Sequence, residues 1–298
     1  MVSIPCYKRA RGRIGVKDEE NSDGRQEVTA TRKAGLIRVG IGGWTFAPWR
    51  TTFYPKGLPH ARELEYASRQ VTAIEINGTF YRTQKPASFA KWRDETPEGF
   101  VFSVKAPRYA TIRKALGEAG PTIEHFVGSG LAELREKLGP ILWQFAPTKR
   151  YDASELEAFM KLLPEEIGGR PARHVLEPRH QSFVDAGFIE LARRHKCALV
   201  FTDSVEYPAF GDVTADFVYA RLVRSQSSIA TGYPAPALDA WAKVACTFAR
   251  GSEPKEFARI TKSGGRSNPR DVYVFFINGD KERAPAAAVE LLARLPKA

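Results

Sequence analysis

Eight short apolar runs recur along the chain, and most of them stop at a polar or charged residue. They are Ile37–Trp44, Val71–Asn77, Phe100–Ala106, Pro140–Ala146, Ala172–Arg179, Cys197–Asp203, Phe217–Arg224 and Asp271–Gly279. Helix-patterned segments or longer loops separate them. A parallel sheet needs such spacing, because parallel neighbours are joined by long crossovers rather than tight turns. Eight units of this kind predict an α/β fold, a single (β/α)8 barrel of TIM type. The C-terminal strand ends of such a barrel converge on one face, where its chemistry is found. The segment 204–216 is short and contains glycine and proline, so the helix after strand six is expected to be missing or vestigial.

A chain of 298 residues with 43% hydrophobic residues can bury a core of this size. No apolar stretch approaches the roughly 18 residues of a membrane span, so no membrane partner is expected. Cys6, Cys197 and Cys246 are an odd number at unrelated spacings. They argue against a disulfide framework and fit a reducing, cytoplasmic setting. The net charge of +11 favours polyanionic partners, either nucleic acid or phosphate-bearing small ligands. Residues 1–33 carry eight Lys/Arg and five Asp/Glu with no periodicity, which predicts a disordered basic tail ahead of a barrel domain at 34–298. A basic insert at 251–270 carries Lys255, Arg259, Lys262, Arg266 and Arg270. Because it leads into the last strand, it is expected on the face opposite the polar strand ends.

Side chains alternate along a strand, so Glu75 and Asn77 share one face while Ile74 and Ile76 share the other. An inward glutamate is costly to bury unless it is paired or used. The other strand ends supply Lys105, Gln144, Glu177 with Arg179 and His180, Asp203, Arg221 and Asn278. Gathered at one rim, Glu75, Glu177 and Asp203 are the candidates for proton transfer. Lys105, Arg179 and Arg221 would hold a phosphate or carboxylate beside His180, with Asn77, Gln144 and Asn278 orienting it. Trp44, Trp49, Phe53, Tyr54, Phe80 and Tyr81 cluster near the first two strand ends. Trp44 and Tyr81 are candidates for stacking on a base or sugar; loop packing is the competing role for the whole group. A salt-bridge network capping the barrel, such as Glu177–Arg179 or Glu75–Lys105, competes with a functional site. Glu75, Glu177, His180 and Asp203 could offer oxygen-rich ligation to Mg²⁺ or Mn²⁺, but no cofactor is assigned. With one of five histidines at a strand end, a zinc cluster is disfavoured. Elsewhere Leu156, Phe159, Met160 and Leu163 form a helix face that belongs to the core, and residues 122–138 are predicted as one helix.

The string Glu75-Ile76-Asn77-Gly78-Thr79-Phe80-Tyr81 resembles the signature of the YecE-like family, domain of unknown function 72. So do Gly43-Trp44 with Trp49, Phe53-Tyr54-Pro55, Leu64-Glu65-Tyr66-Ala67, Trp92 with Thr96-Pro97, and Phe102-Ser103-Val104-Lys105-Ala106. Gln144 with Pro147, Glu177-Pro178-Arg179-His180 and Tyr219 with Arg221 continue the match in family order. The resemblance implies a TIM-type barrel and brings no established activity. Three positions depart from the family pattern. Val223-Arg224 stands where His-Gly is usual, Thr111-Ile112 where Thr-His is common, and Ile277-Asn278-Gly279-Asp280 where Asn-Asn-Asp is usual.

These readings point to a barrel-mouth site that binds, and hydrolyses, an anionic phosphate-bearing or nucleic-acid-derived ligand, as a phosphate-ester hydrolase does. A non-catalytic nucleic-acid-binding module using the tail and the insert is one alternative. A carbohydrate-active enzyme is another, since two carboxylates and an aromatic platform suit glycosides.

Overall fold

Period-two alternation along the strands sorts the side chains into two separate cores, and this sorting builds the barrel. The computed structural model describes residues 34–262 and 268–296. The tail expected at 1–33 and Arg266 of the basic insert lie outside the described residues. The barrel strands are β1 (Ile37–Gly42), β2 (Ala73–Ile76), β3 (Val101–Lys105), β4 (Leu138–Gln144), β5 (His174–Glu177), β6 (Ala198–Thr202), β7 (Phe217–Leu222) and β8 (Asp271–Phe276). All neighbours pair in parallel, and β1 pairs with both β2 and β8, so the sheet closes.

One core fills the lumen with Ala73, Val101, Leu142, Val175, Val200, Tyr219 and Phe275. The other lies between strands and helices, where Ile74, Phe102, Trp143, Leu176 and Phe201 meet the apolar helix faces. Burying a ring such as Phe159 or Phe188 contributes roughly 1.5–3 kcal/mol. Gly40 lets β1 approach the β2 backbone closely. A Cβ there would lie 2.0 Å from the Ala73 carbonyl oxygen and 3.1 Å from the Phe275 ring, so this β1 position has room only for glycine.

Among the described residues, seven helices of eight or more residues cover the barrel: α1 (Glu63–Gln70), α2 (Pro86–Glu95), α3 (Gly120–Gly128), α4 (Ala153–Lys161), α5 (Ala186–Arg194), α6 (Ala235–Ala249) and α7 (Ala284–Arg294). Asp152 and Asp185 start α4 and α5 by accepting the backbone N–H of Glu155 and of Phe188. The helix predicted over 122–138 is shorter than expected. α3 stops at Gly128, Gly130 turns into the left-handed region (φ 115°), and 3-10 turns follow over Leu131–Lys137, broken by a kink at Arg135 (φ 51°). Their three-residue period keeps Leu131 and Leu134 on one buried face.

No helix separates β6 from β7, as the short, Gly/Pro-containing segment foretold. The basic insert takes over part of that cover. Phe257 packs against Phe201 on the outer face of β6 (ring centroids 5.4 Å) and against Trp241 and Phe248 of α6. Asp212, fully buried, accepts the backbone N–H of Ile260 and of Thr261, which fastens the insert to the 204–216 segment. Farther along, Arg270 lines a cavity with Arg173 and Phe217, which belong to the N-terminal strand ends.

Candidate functional site

The inward positions nearest the C-terminal strand ends are almost all polar. Glu75 on β2, Ser103 and Lys105 on β3, Gln144 on β4, Glu177 on β5 and Arg221 on β7 all fall in this layer. Arg221 is the hub, and it is 2% exposed. Its Nε and Nη2 donate to Glu75 Oε2 and Oε1 at 3.0 and 2.9 Å. Its Nη1 lies 2.7 Å from both carboxylate oxygens of Glu177. Burial alone disfavours the guanidinium charge, but Glu177 and Glu75 outweigh it and hold Arg221 more firmly protonated than usual.

Each carboxylate has further donors. The Tyr219 hydroxyl donates to Glu75 Oε2 at 2.7 Å and sits 2.6 Å from Ser103 Oγ. Burial, then Glu75, push the Tyr219 phenol well above its ordinary value, so it stays a donor. Glu177 accepts from Gln144 Nε2 at 2.5 Å and from Arg179 Nη2 at 3.2 Å. Burial would raise the Glu177 pKa, but Arg221, Arg179, Gln144 and Lys105 together hold it below the usual carboxylate range. Glu177 is therefore ionised at neutral pH.

Two cations in this layer have free capacity. The Nε of Arg179 is buried and has no hydrogen-bond partner, and its guanidinium lies 4.4 Å from the centre of the Tyr207 ring. Lys105 Nζ lies 3.9 Å from the centre of the Phe80 ring and makes no hydrogen bond or ion pair among the described residues. Burial, then Arg221, push the Lys105 ammonium down to about 8, against the pull of Glu75 and Glu177.

A cleft of about 320 Å³ opens over β5, β6 and β7, walled by Glu177, Arg179, Thr202, Tyr207, Val223, Arg224 and Asn278 among others. Its size suits a small ligand.

The structure thus joins Glu75, Gln144, Glu177, Arg179 and Arg221 in one hydrogen-bonded network, sets Lys105 within its electrostatic reach, and leaves the remaining candidates at its edges. Asn77 sits at the rim, its Nδ2 3.4 Å from the Glu75 carbonyl oxygen. Asn278 lines the cleft, and its carbonyl accepts from Ser225 Oγ. Asp203 accepts the Val223 N–H and the Tyr233 hydroxyl, each at 2.7 Å, so it ties the wall together. Burial raises the Asp203 pKa, against those two hydrogen bonds. His180 Nδ1 accepts the Ser182 N–H and caps a short 3-10 turn. Trp44 packs edge-on against Trp92 and Phe102, in the layer outside the strands. Trp49, Phe53, Tyr54 and Tyr66 form a continuous set of ring contacts, which is loop packing. Tyr81 remains 67% exposed, its ring edge-on to Phe80.

Among the described residues no three His, Cys, Asp or Glu side chains gather as a metal site. The donors considered for Mg²⁺ or Mn²⁺ are dispersed: Arg221 stands between Glu75 and Glu177, while Asp203 and His180 serve backbone amides.

Of four further participants, Tyr219, Ser103 and Arg224 carry a signal in the sequence and Lys281 carries none. Tyr219 and Ser103 share the faces of Arg221 and Lys105 by simple alternation. Arg224 lines the cleft at a position where the family pattern has no arginine. Lys281 has no periodic signal, because it follows β8 in a loop; its Nζ lies 5.0 Å from the Phe46 ring centre, and burial lowers its pKa against the pull of Glu75.

A family model described as protein of unknown function DUF72 matches residues 38–298. The chain belongs to the DUF72 family. UPF0759 protein YunF of Bacillus subtilis is 27% identical over 161 residues, which are 52% of this chain and 55% of that protein. UPF0759 protein YecE of Escherichia coli K12 is 26% identical over 155 residues, 51% of this chain and 52% of that protein. The match thus spans about half the length of these curated relatives. A DUF72 family protein of Thermotoga maritima superposes with a TM-score of 0.67 at 21% identity, covering 87% of this chain and 98% of that one. One from Enterococcus faecalis gives 0.61 at 15%, covering 88% and 98%. At these identities the likeness to solved DUF72 structures shows the shared barrel. Among the described residues no helix is long and apolar enough to cross a membrane.

Proposed function

We propose that the barrel mouth binds a small anionic ligand, phosphate-bearing or nucleic-acid-derived, and that Glu177 activates water against it. The carrying observation is the unmatched donor capacity in and beside the cleft. Arg179 has a buried Nε without an acceptor, and Lys105 has an ammonium with no hydrogen-bond acceptor among the described residues. A buried donor left without an acceptor costs about 1–3 kcal/mol, which an anionic oxygen in the cleft would recover. Arg224 joins Arg179 as a second cation in the cleft wall.

Arg221 is not assigned to the clamp, since both of its carboxylate partners are internal. Glu75 is fully buried behind it, so the proton-accepting role falls to Glu177, which is ionised and reaches the cleft.

Calorimetric titration of the full chain with inorganic phosphate and with nucleoside monophosphates tests the binding. Arg179→Met should weaken it by about tenfold or more, the worth of one charge-assisted hydrogen bond. Unchanged affinity in Arg179→Met rejects this site. Turnover of a phosphomonoester and phosphodiester panel that is lost in Glu177→Gln supports hydrolysis; binding without any turnover leaves a binding module.

A further inference from the structure

We propose that Lys105 is an imine-forming amine, whose Nζ condenses with the carbonyl carbon of a small aldehyde or ketone that carries a phosphate or carboxylate. The proposal rests on the anion-binding reading of the mouth and narrows its ligand class.

Position comes first. Lys105 is the last residue of β3 and points inward, and its carbonyl is held at 2.7 Å by Thr79 Oγ1, which fixes the strand end. Its amine is only slightly exposed, at 8% for the residue, yet it is not sealed from solvent.

The surroundings come second. A lysine near two glutamates would ordinarily form an ion pair and stay charged. Here Arg221 has taken both carboxylates, and Lys105 Nζ rests on the Phe80 ring with neither as a hydrogen-bond partner. Desolvation and a neighbouring cation are the two devices that make a lysine nucleophilic. Both act on this side chain, since its ammonium is lowered chiefly by burial and next by Arg221. With the amine at about 8 rather than 10.5, the free base at pH 7 is about 300-fold more abundant than on an ordinary lysine.

Third, Glu177 and Arg179, the groups needed for the steps, both act electrostatically on this amine. The amine lone pair attacks the carbonyl carbon, the C=O pair moves to oxygen, and the proton leaving nitrogen passes through Glu177 to that oxygen. The C–O bond then breaks, the hydroxyl leaves as water with the second nitrogen proton, and the nitrogen electron pair closes the C=N bond. One amine and one carbonyl give one imine and one water, with no change of oxidation state. Arg179 would hold the anionic end of the ligand.

The test uses the unmodified full chain at pH 7 with glycolaldehyde phosphate, or with uncharged glycolaldehyde, and cyanoborohydride to reduce any imine. Peptide mass mapping then reads each lysine. Lys105 should be labelled about tenfold faster than the exposed Lys91, and faster by the phosphate aldehyde than by the neutral one. Inorganic phosphate should slow the labelling, and in Lys105→Met no other site should gain the fast phase. Fast labelling of Lys105 by both aldehydes alike upholds the amine and removes the anion reading beneath it. Calorimetric phosphate binding with Lys105 labelled no faster than Lys91 overturns the amine and leaves the anion reading in place.

Discussion

Arg221 meets Glu75 side-on, with Nε 3.0 Å from one carboxylate oxygen and Nη2 2.9 Å from the other, at the top of the filled lumen. The same guanidinium also holds Glu177, so one cation organises two acids from opposite parts of the chain. The arrangement gives the mouth its polarity. It neutralises Glu75 inside the barrel, keeps Glu177 ionised at the cleft, and leaves Lys105 and Arg179 as the cations with donors to spare.

The three charges are not equally dispensable. Arg221→Met leaves two buried carboxylates without their shared counter-ion and should cost about 3–5 kcal/mol. Glu75→Gln keeps the shape, and Arg221 keeps Glu177, so its cost should be nearer 1–3 kcal/mol. Urea unfolding of both variants checks the order. Equal losses would mean that the two acids do not depend on Arg221.

Lys105 gives a pH signature. Its folded-state value of about 8 lies below the 10.5 of the unfolded chain. Between those limits the unfolded chain holds the extra proton, so stability rises with pH through that window. Below about pH 8 both states are protonated, and the folded chain carries the full penalty of the buried charge. Lys105→Met removes the group, so the wild type should gain on the variant as pH rises from about 8 to 10.5. Parallel unfolding curves over that range would place the Lys105 ammonium at its ordinary value.

Much of this was legible in the chain because two physical periods repeat in it. Period-two alternation put Glu75, Lys105, Glu177 and Arg221 on inward faces, and the eightfold strand rhythm predicted their convergence. Pairing was not legible. Nothing local in the sequence says that Arg221 binds Glu75, 146 residues away, rather than a ligand. Asp203 sat at a strand end like the others, yet the segment after β7 supplied it with two distant donors, the Val223 N–H and the Tyr233 hydroxyl. Trp44 lies beyond the last alternating position of β1, where side-chain direction follows loop geometry instead of strand period.

The Asp203 carboxylate and the Tyr233 hydroxyl form a clasp behind the cleft. Tyr233 donates to Asp203 at 2.7 Å and accepts the Arg224 N–H at 2.8 Å. Burial, then Asp203, raise its phenol pKa, so it remains protonated. Tyr233→Phe strands one acceptor and one backbone donor, at a cost of about 1–3 kcal/mol. Hydrogen exchange should quicken at the Arg224 amide and spare β2 and β3. Unaltered exchange at Arg224 would show that the wall is held by other contacts.

The insert before β8 has two separable properties, and they predict opposite results. Its basic residues Lys255 and Lys262 are exposed, whereas Phe257 covers the outer face of β6 where a helix is missing. Phe257→Ala uncovers Phe201 and should lower stability by about 1.5–3 kcal/mol, the value of an apolar side chain withdrawn from water. Lys255→Ser with Lys262→Ser should change it by less than about 0.5 kcal/mol, as exposed sites do. Thermal unfolding of both variants separates the two properties. A stable Phe257→Ala protein would mean that the insert is an appendage, and that Phe210 and Phe248 alone close the barrel wall beside β6.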